Sequence, residues 1–396
     1  MNPVLNSKTD PAATIDLEQA VAERYSAASE QAESALCCPV EYDTRYLEVL
    51  PRELIEKDYG CGDPSKHVRP GETVLDLGSG GGKVCFIASQ IVGPGGRVIG
   101  VDINRDMLAL ARRFQPQISA AIGWDNVEFH RGRIQDLELD LDRWETYLQQ
   151  HPITSTDDWL EAQQHAQRCR CETPMVGSDS VDVVVSNCVL NLVAPDDRTR
   201  LFAELFRVLR DGGRAVISDI VSDERVPPHL QNDPQLWSGC ISGAFQQEAF
   251  VEAFADAGFQ GMEILSRQSE AWATVEGIEF RSLTVQAFKG PAGLDRDCGQ
   301  AILYRGPFRA VTDDEGHVLR RGVPQAVGDR TFQRYSQPPY SDQLIPIPPA
   351  TAVDPEAATD FDGRRNTVRE PRETKAGAAA LTQLPNSDCC GPGECC

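Results

Sequence analysis

The chain has 396 residues, enough to bury a substantial core in one large domain with an accessory unit or in two domains, so its 13 cysteines need not form a stabilising disulfide framework. A formal net charge of -22, with no compact Lys/Arg cluster to offset it, argues against nucleic acid as a substrate or partner. No apolar run approaches the roughly 18 residues that cross a bilayer, so a membrane pump is excluded and no membrane partner is expected. Because the N-terminus lacks the charged and apolar regions of a signal peptide, we expect a cytoplasmic protein.

The first 35 residues mix proline, alanine, serine and charged side chains, and we interpret them as an N-terminal arm in which residues 16–33 are compatible with an amphipathic helix. From Thr73 onward, short apolar strands alternate with helices. The predicted strands are residues 73–77, 97–101, 127–130, 181–186 and 214–218, and the predicted helices are residues 83–92, 105–114, 198–210 and 246–257. This order is typical of an α/β fold with an open, mostly parallel, Rossmann-like sheet covered on both faces.

The rest of the chain departs from this alternation. Residues 139–174 are polar and long for a connection between a strand and a helix, and we predict a helical excursion at the surface. Strands at 261–265 and 282–289 then close a domain that spans residues 36–290. Residues 291–337 form a small accessory unit with a β-hairpin around 313–316, and residues 338–396 are predicted to be a disordered tail that ends in paired cysteines.

A glycine-rich loop follows the first strand at residues 75–82, Leu-Asp-Leu-Gly-Ser-Gly-Gly-Gly. Glycines at this place let the backbone turn tightly and bring N–H groups against a ligand, while an acid at the end of the next strand, here Asp102, binds ribose hydroxyls. An acid before the glycines and three consecutive glycines favour S-adenosylmethionine over NAD. The predicted cofactor-binding residues are Asp76, Gly78, Ser79, Gly80, Asp102, Ile103, Ile134 and Asn187. A tight turn in a cofactor-free α/β protein is the alternative.

Three cysteines occupy settings that differ from ordinary core positions. Cys188 follows the carboxyl end of the fourth strand, where open α/β sheets place their ligands. Cys240 lies in a loop of small residues, and Cys61 lies between two glycines, Gly60 and Gly62. The alternative for Cys188 and Cys240 is ordinary packing, and the alternative for Cys61 is an exposed turn.

The remaining cysteines carry weaker signals. Cys85 lies inside the helix after the glycines and is predicted to pack in the core. Cys169 and Cys171 alternate with arginines, which is a weak zinc signal without a second pair. The adjacent pairs at 37–38, 389–390 and 395–396 suit metalloid capture or thiol exchange better than a fixed disulfide framework.

Taken with the glycine loop, the cysteine settings resemble one family closely. The motifs are Tyr-Gly-Cys-Gly at 59–62, Leu-Asp-Leu-Gly-Ser-Gly at 75–80, Val-Val-Ser-Asn-Cys-Val-Leu-Asn-Leu-Val at 184–193 and Gly-Cys-Ile-Ser-Gly-Ala at 239–244. In this order, together with the Cys-Cys tail, they resemble the arsenite methyltransferases, the S-adenosylmethionine-dependent arsenic methyltransferase family. The resemblance runs from about residue 37 to residue 289.

The resemblance implies a seven-stranded class I methyltransferase sheet with a C-terminal accessory domain, and methyl transfer from S-adenosylmethionine to trivalent arsenic, supplied as arsenite or methylarsenite. It implies that Cys188 and Cys240 hold arsenic, that Cys61 is a mobile third thiol, and that Cys38 forms a disulfide with Cys61 during turnover. It also implies a thiol reductant, thioredoxin or glutathione, as co-substrate, and we expect a monomer. The insertion at 139–174 and the short C-terminal unit depart from the family pattern.

Elementary chemistry agrees with this interpretation. Soft thiolates suit a soft trivalent centre, and sulfur ligation leaves a lone pair on arsenic that can attack a sulfonium methyl without a general base. The six histidines lie outside the Cys188 and Cys240 motifs, whereas oxygen or carbon methylation usually needs a base nearby. Two alternatives stay open: a methyltransferase for an organic acceptor such as a quinone or a thiol, and a non-catalytic metalloid- or metal-binding protein that works through the cysteine tail.

Overall fold

The computed structural model describes residues 11–33, 40–290, 295–314, 316–349, 351–362 and 368–374. The chain divides into two compact units, Met1–Gly290 and Pro291–Cys396. Cys38 and the paired cysteines of the tail lie outside the described residues. Within the described residues, no helix combines the length and apolar character that crossing a bilayer requires.

The first unit alternates helices and strands, as the sequence predicts. Its helices are α1 Pro11–Glu30, α2 Thr44–Leu47, α3 Arg52–Glu56, α4 Lys83–Val92, α5 Arg105–Ile122, α6 Leu141–Gln150, α7 Thr156–Glu172, α8 Arg198–Val208, α9 Pro228–Gln231, α10 Pro234–Ser238 and α11 Gln247–Asp256. Its strands are β1 Thr73–Leu77, β2 Arg97–Asp102, β3 Val127–Arg131, β4 Val181–Asn187, β5 Leu209–Ser222, β6 Phe245–Gln246, β7 Gln260–Arg267, β8 Ala273–Val275 and β9 Ile278–Phe288.

These strands form one sheet whose central path has seven strands in the order β3-β2-β1-β4-β5-β9-β7, with β6 beside β5 and β8 beside β9. The pairings from β3 to β5 are parallel, and β9 runs antiparallel to both β5 and β7. The expected Rossmann-like α/β fold with a seven-stranded sheet is therefore confirmed. The register of β1 and β4 aligns Leu77 with Ser186, so these two strands end at the same level.

The central strands are apolar because both of their faces are covered. Each residue of β4 up to Ser186 is buried, a continuous burial that is typical of parallel strands between two helical layers. On one side of the sheet, the ring of Phe254 packs edge-on against Phe202, Phe250 and Phe259. On the other side, Val74, Phe86 and Val98 belong to a second apolar cluster. The sheet thus has a core on each face, which holds its strand ends in fixed positions.

The polar insertion is helical as predicted, and the N-terminal arm contacts the rest of the first unit. Residues 139–174 contain α6 and α7, which confirms a helical excursion. The described part of the arm predicted over residues 1–35 contains helix α1, which is held by the rest of the first unit. Lys57 Nζ donates to the Ser29 carbonyl at 2.6 Å, and Asn104 Nδ2 donates to the Ala22 carbonyl at 3.2 Å. These partners are distant in sequence, which explains why the local pattern did not reveal them.

The second unit is a small β-rich body. Its strands are β10 Arg296–Asp297, β11 Ala301–Tyr304, β12 Ala310–Thr312, β13 Val318–Arg320, β14 Pro324–Ala326, β15 Leu344–Ile347 and β16 Thr359–Asp360, and its helices are α12 Asp329–Tyr335 and α13 Pro371–Thr374. The hairpin predicted around 313–316 is formed by β12 and β13.

The tail predicted to be disordered from residue 338 contains ordered structure. Strand β15 pairs antiparallel with β11, and Leu344 is buried against Ile302, Tyr304 and Tyr335. Apolar residues at 344, 345 and 347 provide the strand, and the surrounding prolines and acidic residues obscured them in the sequence. Residues 375–396 lie outside the described part of the chain.

A buried ion pair fixes the start of β1 against β5, and its removal provides a test of the fold. Arg214 donates two hydrogen bonds to the Glu72 carboxylate, at 2.7 and 2.9 Å, with both side chains at most 12% exposed. We expect Glu72→Gln to lower the free energy of unfolding by about 3–5 kcal/mol, because the guanidinium stays buried without its partner charge. Urea unfolding followed by tryptophan fluorescence measures this.

The matched control is Glu128→Gln, which breaks a similar two-bond pair with Arg97 at the surface, where the side chains are 49% and 52% exposed. This change should lower the free energy of unfolding by less than about 1 kcal/mol. Equal effects of the two substitutions would contradict the assignment of the Glu72 pair as a buried structural bridge.

Candidate active site

A cavity of about 530 Å³ lies at the carboxyl ends of β1, β2 and β4. This is the edge at which open parallel sheets place their ligands. All eight predicted cofactor-binding residues line it, namely Asp76, Gly78, Ser79, Gly80, Asp102, Ile103, Ile134 and Asn187. The size is that of a site for a small organic molecule.

The glycine loop forms the floor of this cavity. The N–H groups of Gly78 and Ser79 donate to the Val101 carbonyl, at 2.8 and 3.1 Å, so the loop is tied to the end of β2. Gly78 has a φ of 69°, and a Cβ at this position would lie 2.4 Å from a methyl carbon of Val189. A side chain is excluded there by both conformation and space, which keeps the backbone open to a ligand.

Asp102 is placed to accept hydroxyl groups. Its two carboxylate oxygens accept from the N–H groups of Gly80 at 2.8 Å and Asn104 at 2.7 Å. Burial raises the pKa of this carboxyl, and the backbone hydrogen bonds oppose that rise. Each oxygen keeps a further lone pair for a ligand. The buried Ser79 Oγ, also in the cavity wall, has no hydrogen-bond partner among the described residues, as expected of a group that meets a polar ligand.

Asp76 is a second, deeper carboxyl in the same wall. Burial raises its pKa to about 7, although the Cys85 thiol donates a hydrogen bond to it at 3.1 Å. A positively charged ligand would favour the ionised form of this carboxyl. Cys85 is fully buried in α4, where the sequence placed it, and its contact with Asp76 is an additional feature that the sequence did not reveal.

Helix α1 supplies one wall of the cavity, which sequence reasoning missed. Glu18, Gln19, Val21, Ala22 and Tyr25 all line it. The helix also reaches the Cys240 loop, because Arg24 donates to Ser238 Oγ at 3.0 Å and to the Gln235 carbonyl at 2.9 Å. One helix therefore contacts both the cavity and the cysteine region.

Two of the predicted cysteines, Cys61 and Cys188, lie close to the buried Asp219 next to the cavity. The sulfurs of Cys61 and Cys188 and a carboxylate oxygen of Asp219 all lie within 4.8 Å of one another, and the three residues are buried. Among the described residues this is the single group of three or more such donor side chains. Cys188 also lines the cavity, so the sulfur cluster and the cavity are adjacent.

Cys240 lies beside this three-residue group but is not part of it. Its thiol donates to the Cys188 carbonyl at 3.2 Å, and it belongs to the same buried cluster as Cys61 and Cys188. Cys188 and Cys240 have φ values of 63° and 61°, a conformation that is uncommon for residues other than glycine. Such backbone conformations concentrate at functional sites, where the surrounding structure holds them.

Tyr25 lies over the same sulfurs from α1. Its hydroxyl is 3.9 Å from Cys240 Sγ. Burial first, and then the nearby Cys240 and Cys188 sulfurs, raise the pKa of the phenol well above its ordinary value. The phenol therefore stays protonated at neutral pH and can donate to a thiolate.

A buried polar network links the loops of Cys188 and Cys240. Asp219 accepts from the N–H groups of Leu190 and Ile220 and from Asn191 Nδ2, at 2.9, 2.8 and 2.7 Å. Burial raises the pKa of Asp219 to about 7, and these backbone hydrogen bonds oppose the rise. Asn191 Nδ2 lies also 2.7 Å from the Ile220 carbonyl and 3.5 Å from that of Cys240. Asp219 directly follows the predicted fifth strand, and its position could have identified it.

Asn187 holds the Cys61 loop. Its Oδ1 accepts from the N–H groups of Cys61 at 2.8 Å and Gly62 at 3.0 Å, and its Nδ2 donates to the Gly62 carbonyl at 2.6 Å and to Tyr42 at 3.1 Å. A Cβ at Gly60 would lie 2.0 Å from the Asn187 amide nitrogen. Asn187 lies in the cavity wall, but its hydrogen bonds are used to position Cys61.

The remaining candidates lie elsewhere. Cys169 and Cys171 are on α7, and Cys298 is in the second unit. Of the two histidines nearest to the predicted site in sequence, His130 lies 3.2 Å from Asp140, and the carbonyl of His67 accepts from Arg214. The described residues that line the cavity include no histidine.

The role of Asn187 can be tested through the reactivity of Cys61. We expect Asn187→Ala to speed alkylation of Cys61 roughly tenfold or more, because it removes the acceptor of two backbone amides and frees the loop. Mass spectrometry of individual peptides under reducing conditions measures the rate, with Cys85 as the internal reference. Asn187→Asp keeps the acceptor and should raise the rate less. An unchanged Cys61 rate in Asn187→Ala would show that other contacts hold the loop.

Comparison with known proteins places this site in a family. Residues 69–258 match a methyltransferase domain, and residues 292–379 match a domain of unknown function. The arsenite methyltransferase of Halobacterium salinarum is 38% identical over 246 residues, which are 62% of this chain and 48% of that relative, so the match spans about half of its length. The arsenite methyltransferase of Aquipseudomonas alcaligenes is 30% identical over 310 residues, 74% of this chain and 79% of that relative.

A solved structure agrees with these sequence matches. The X-ray structure of an arsenic(III) S-adenosylmethionine methyltransferase from Chlamydomonas reinhardtii has a TM-score of 0.53 and 26% identity, over 82% of this chain and 100% of that chain. Similarity in sequence over most of a relative's length, together with similarity in structure, identifies the family. The chain therefore belongs to the arsenite methyltransferase family.

Proposed function

We propose that this protein transfers methyl groups from S-adenosylmethionine to trivalent arsenic bound by cysteine thiolates. The observation that carries the proposal is the position of Cys188. It lines the cavity that holds the glycine loop and Asp102, and its sulfur lies within 4.8 Å of that of Cys61. A soft substrate on these sulfurs is adjacent to a cofactor in that cavity.

The residues of the cavity fit this cofactor. Asp102 would accept the ribose hydroxyls, the glycine loop would let the cofactor approach the backbone closely, and Ser79 Oγ, which has no hydrogen-bond partner among the described residues, would supply a polar contact. Ile134 and Ile103, which line the same cavity, would contact the base, and Asp76 would lie near the positively charged end. When bound, S-adenosylmethionine supplies a methyl group activated by its attachment to a positively charged sulfur.

The thiols perform the substrate side of the reaction. Cys188 and Cys240 hold arsenic as a permanent pair, and Cys61, in the loop clamped by Asn187, is the third ligand of inorganic arsenite. Replacement of arsenic hydroxyls by sulfur releases water and keeps the arsenic lone pair available for in-line attack on the methyl carbon. This attack takes up no proton, consistent with a cavity whose described lining lacks histidine.

Turnover requires reduction of the product. Methyl transfer oxidises arsenic from the trivalent to the pentavalent state, and two electrons return it to the trivalent state. In the proposal, Cys38 and Cys61 supply these electrons by forming a disulfide, and a thiol reductant, thioredoxin or glutathione, reduces that disulfide. The protein acts as a monomer in the reducing cytoplasm, where such reductants are present.

Single-turnover methylation of arsenite and of methylarsenite by cysteine variants tests the proposal. Cys188→Ser and Cys240→Ser should abolish methylation of both substrates, because serine keeps the shape but supplies a hard oxygen of high pKa. Cys61→Ser should lose activity on arsenite and keep activity on methylarsenite, which needs two thiolates. Chromatography with mass spectrometry identifies the arsenic products.

Cys85→Ser is the matched control, because serine can still donate to Asp76 and Cys85 lies outside the sulfur cluster. It should keep both activities. A Cys188→Ser enzyme that methylates methylarsenite at the parental rate would exclude the proposed arsenic site and favour an organic acceptor. Failure of the parental protein to bind S-adenosylmethionine would favour a non-catalytic binding protein.

Asp76 makes cofactor binding depend on pH. Its pKa of about 7 means that the carboxyl is largely protonated at pH 6 and largely ionised at pH 8. A cationic ligand prefers the ionised form, so affinity should rise by roughly tenfold from pH 6 to pH 8. Titration calorimetry measures this. Asp76→Asn should flatten the profile, and Asp106→Asn, an exposed change at the start of α5, should retain it. A steep profile in Asp76→Asn would assign the pH dependence to another group.

A further inference from the structure

Two donor atoms lie side by side on α7, outside the site described above. His165 and Cys169 are four residues apart, so their side chains share one face of the helix. Cys169 Sγ lies 3.4 Å from His165 Nε2, and both residues are partly exposed. A nitrogen and a sulfur bound to one tetrahedral Zn²⁺ are about 3.6 Å apart, given Zn–N and Zn–S bonds of about 2.05 and 2.3 Å. The pair therefore already has the spacing of a chelate.

Aromatic stacking fixes the imidazole in this position. The ring of His165 lies parallel to that of Tyr147 on α6, with centroids 3.7 Å apart and an interplanar angle of 6°. The ring of His151 stacks on Tyr147 at 4.3 Å, and Trp144 stacks on it at 5.6 Å. Two rings this close cannot share one face of Tyr147, so His151 lies on the opposite face from His165. A metal-coordinating side chain whose orientation is already fixed loses little conformational entropy when the metal binds.

The insertion that carries the pair has more acidic than basic residues. Residues 139–174 contain seven acidic and three basic side chains. The guanidinium of Arg170, next to Cys169 in sequence, is bound to Asp136 at 2.8 Å. Its charge is therefore partly balanced at the site.

We propose that His165 and Cys169 bind a divalent cation that accepts nitrogen and sulfur ligands, with Zn²⁺ as the representative ion and water in the remaining positions. On binding, the Cys169 thiol releases its proton to solvent, a sulfur–metal bond forms, and no redox change occurs. His165 and Cys169 lie outside the cavity and the sulfur cluster, on the polar insertion at residues 139–174.

Occupancy of this site would affect the cavity through one connection. A cation that bridges residues 165 and 169 stabilises the last turns of α7, where Arg170 holds Asp136. Asp136 ends the loop whose residues Arg133, Ile134 and Gln135 line the cavity. The bound ion thus stiffens the support of one cavity wall.

Residue-resolved alkylation of the full-length protein tests the proposal. Titration with Zn²⁺ should slow alkylation of Cys169 by roughly tenfold, because metal-bound sulfur is a poor nucleophile, and EDTA should restore the rate. Cys171, which is exposed and two residues away on another face, should react at an unchanged rate. His165→Gln should remove the protection of Cys169. The control His151→Gln, which changes the ring on the other face of Tyr147, should retain it.

Three outcomes would overturn the proposal. Equal protection of Cys169 and Cys171 would show unspecific binding of Zn²⁺ to thiols and not binding by this pair. The same conclusion follows if Cys169 reacts at the same rate with and without Zn²⁺, or if protection persists in His165→Gln. Circular dichroism of His165→Gln verifies that α7 is retained, so that loss of protection reports the missing ligand.

Discussion

The parallel pairing of β1 with β4 and of β4 with β5 is the constraint on which the site depends. Register aligns Leu77 with Ser186 and Asn187 with Ser218, so β1 and β4 end at the level of Ser218 in β5, which continues to Ser222. The glycine loop, Cys188 and Asp219 are the next residues along these strands. Because the carboxyl ends of parallel strands share one edge, three segments far apart in sequence become neighbours without any contact between their loops being required first.

The loops beyond that edge need a second constraint, because their backbones leave regular geometry. A left-handed conformation costs a residue with a side chain about 1–2 kcal/mol, and both Cys188 and Cys240 adopt it. Asp219 and Asn191 offset this cost with buried hydrogen bonds that reach both loops. The same network therefore contacts the backbones of both cysteine loops.

How much of this could be read from sequence depended on the range of the interactions. Strand β1 and helix α4 were predicted to the residue, since an apolar run, glycines and a helical pattern are local signals. The wall formed by α1 could not be predicted, because Tyr25 and Arg24 contact Cys240 and Ser238. These partners are more than two hundred positions away in sequence. Strand β15 was missed for the same reason: its apolar residues find their partner only in β11.

The site also carries two buried carboxyls, Asp76 near the glycine loop and Asp219 near the sulfurs, each with a pKa raised to about 7. An acid whose folded pKa lies above its unfolded value contributes stability that is present below about pH 4 and is lost as pH rises through about 7. Near neutral pH, both groups therefore destabilise the protein in the absence of ligands. A positively charged ligand beside Asp76 relieves that penalty at one end of the site. Relief of this unfavourable burial of negative charge therefore contributes to the free energy of binding a cation.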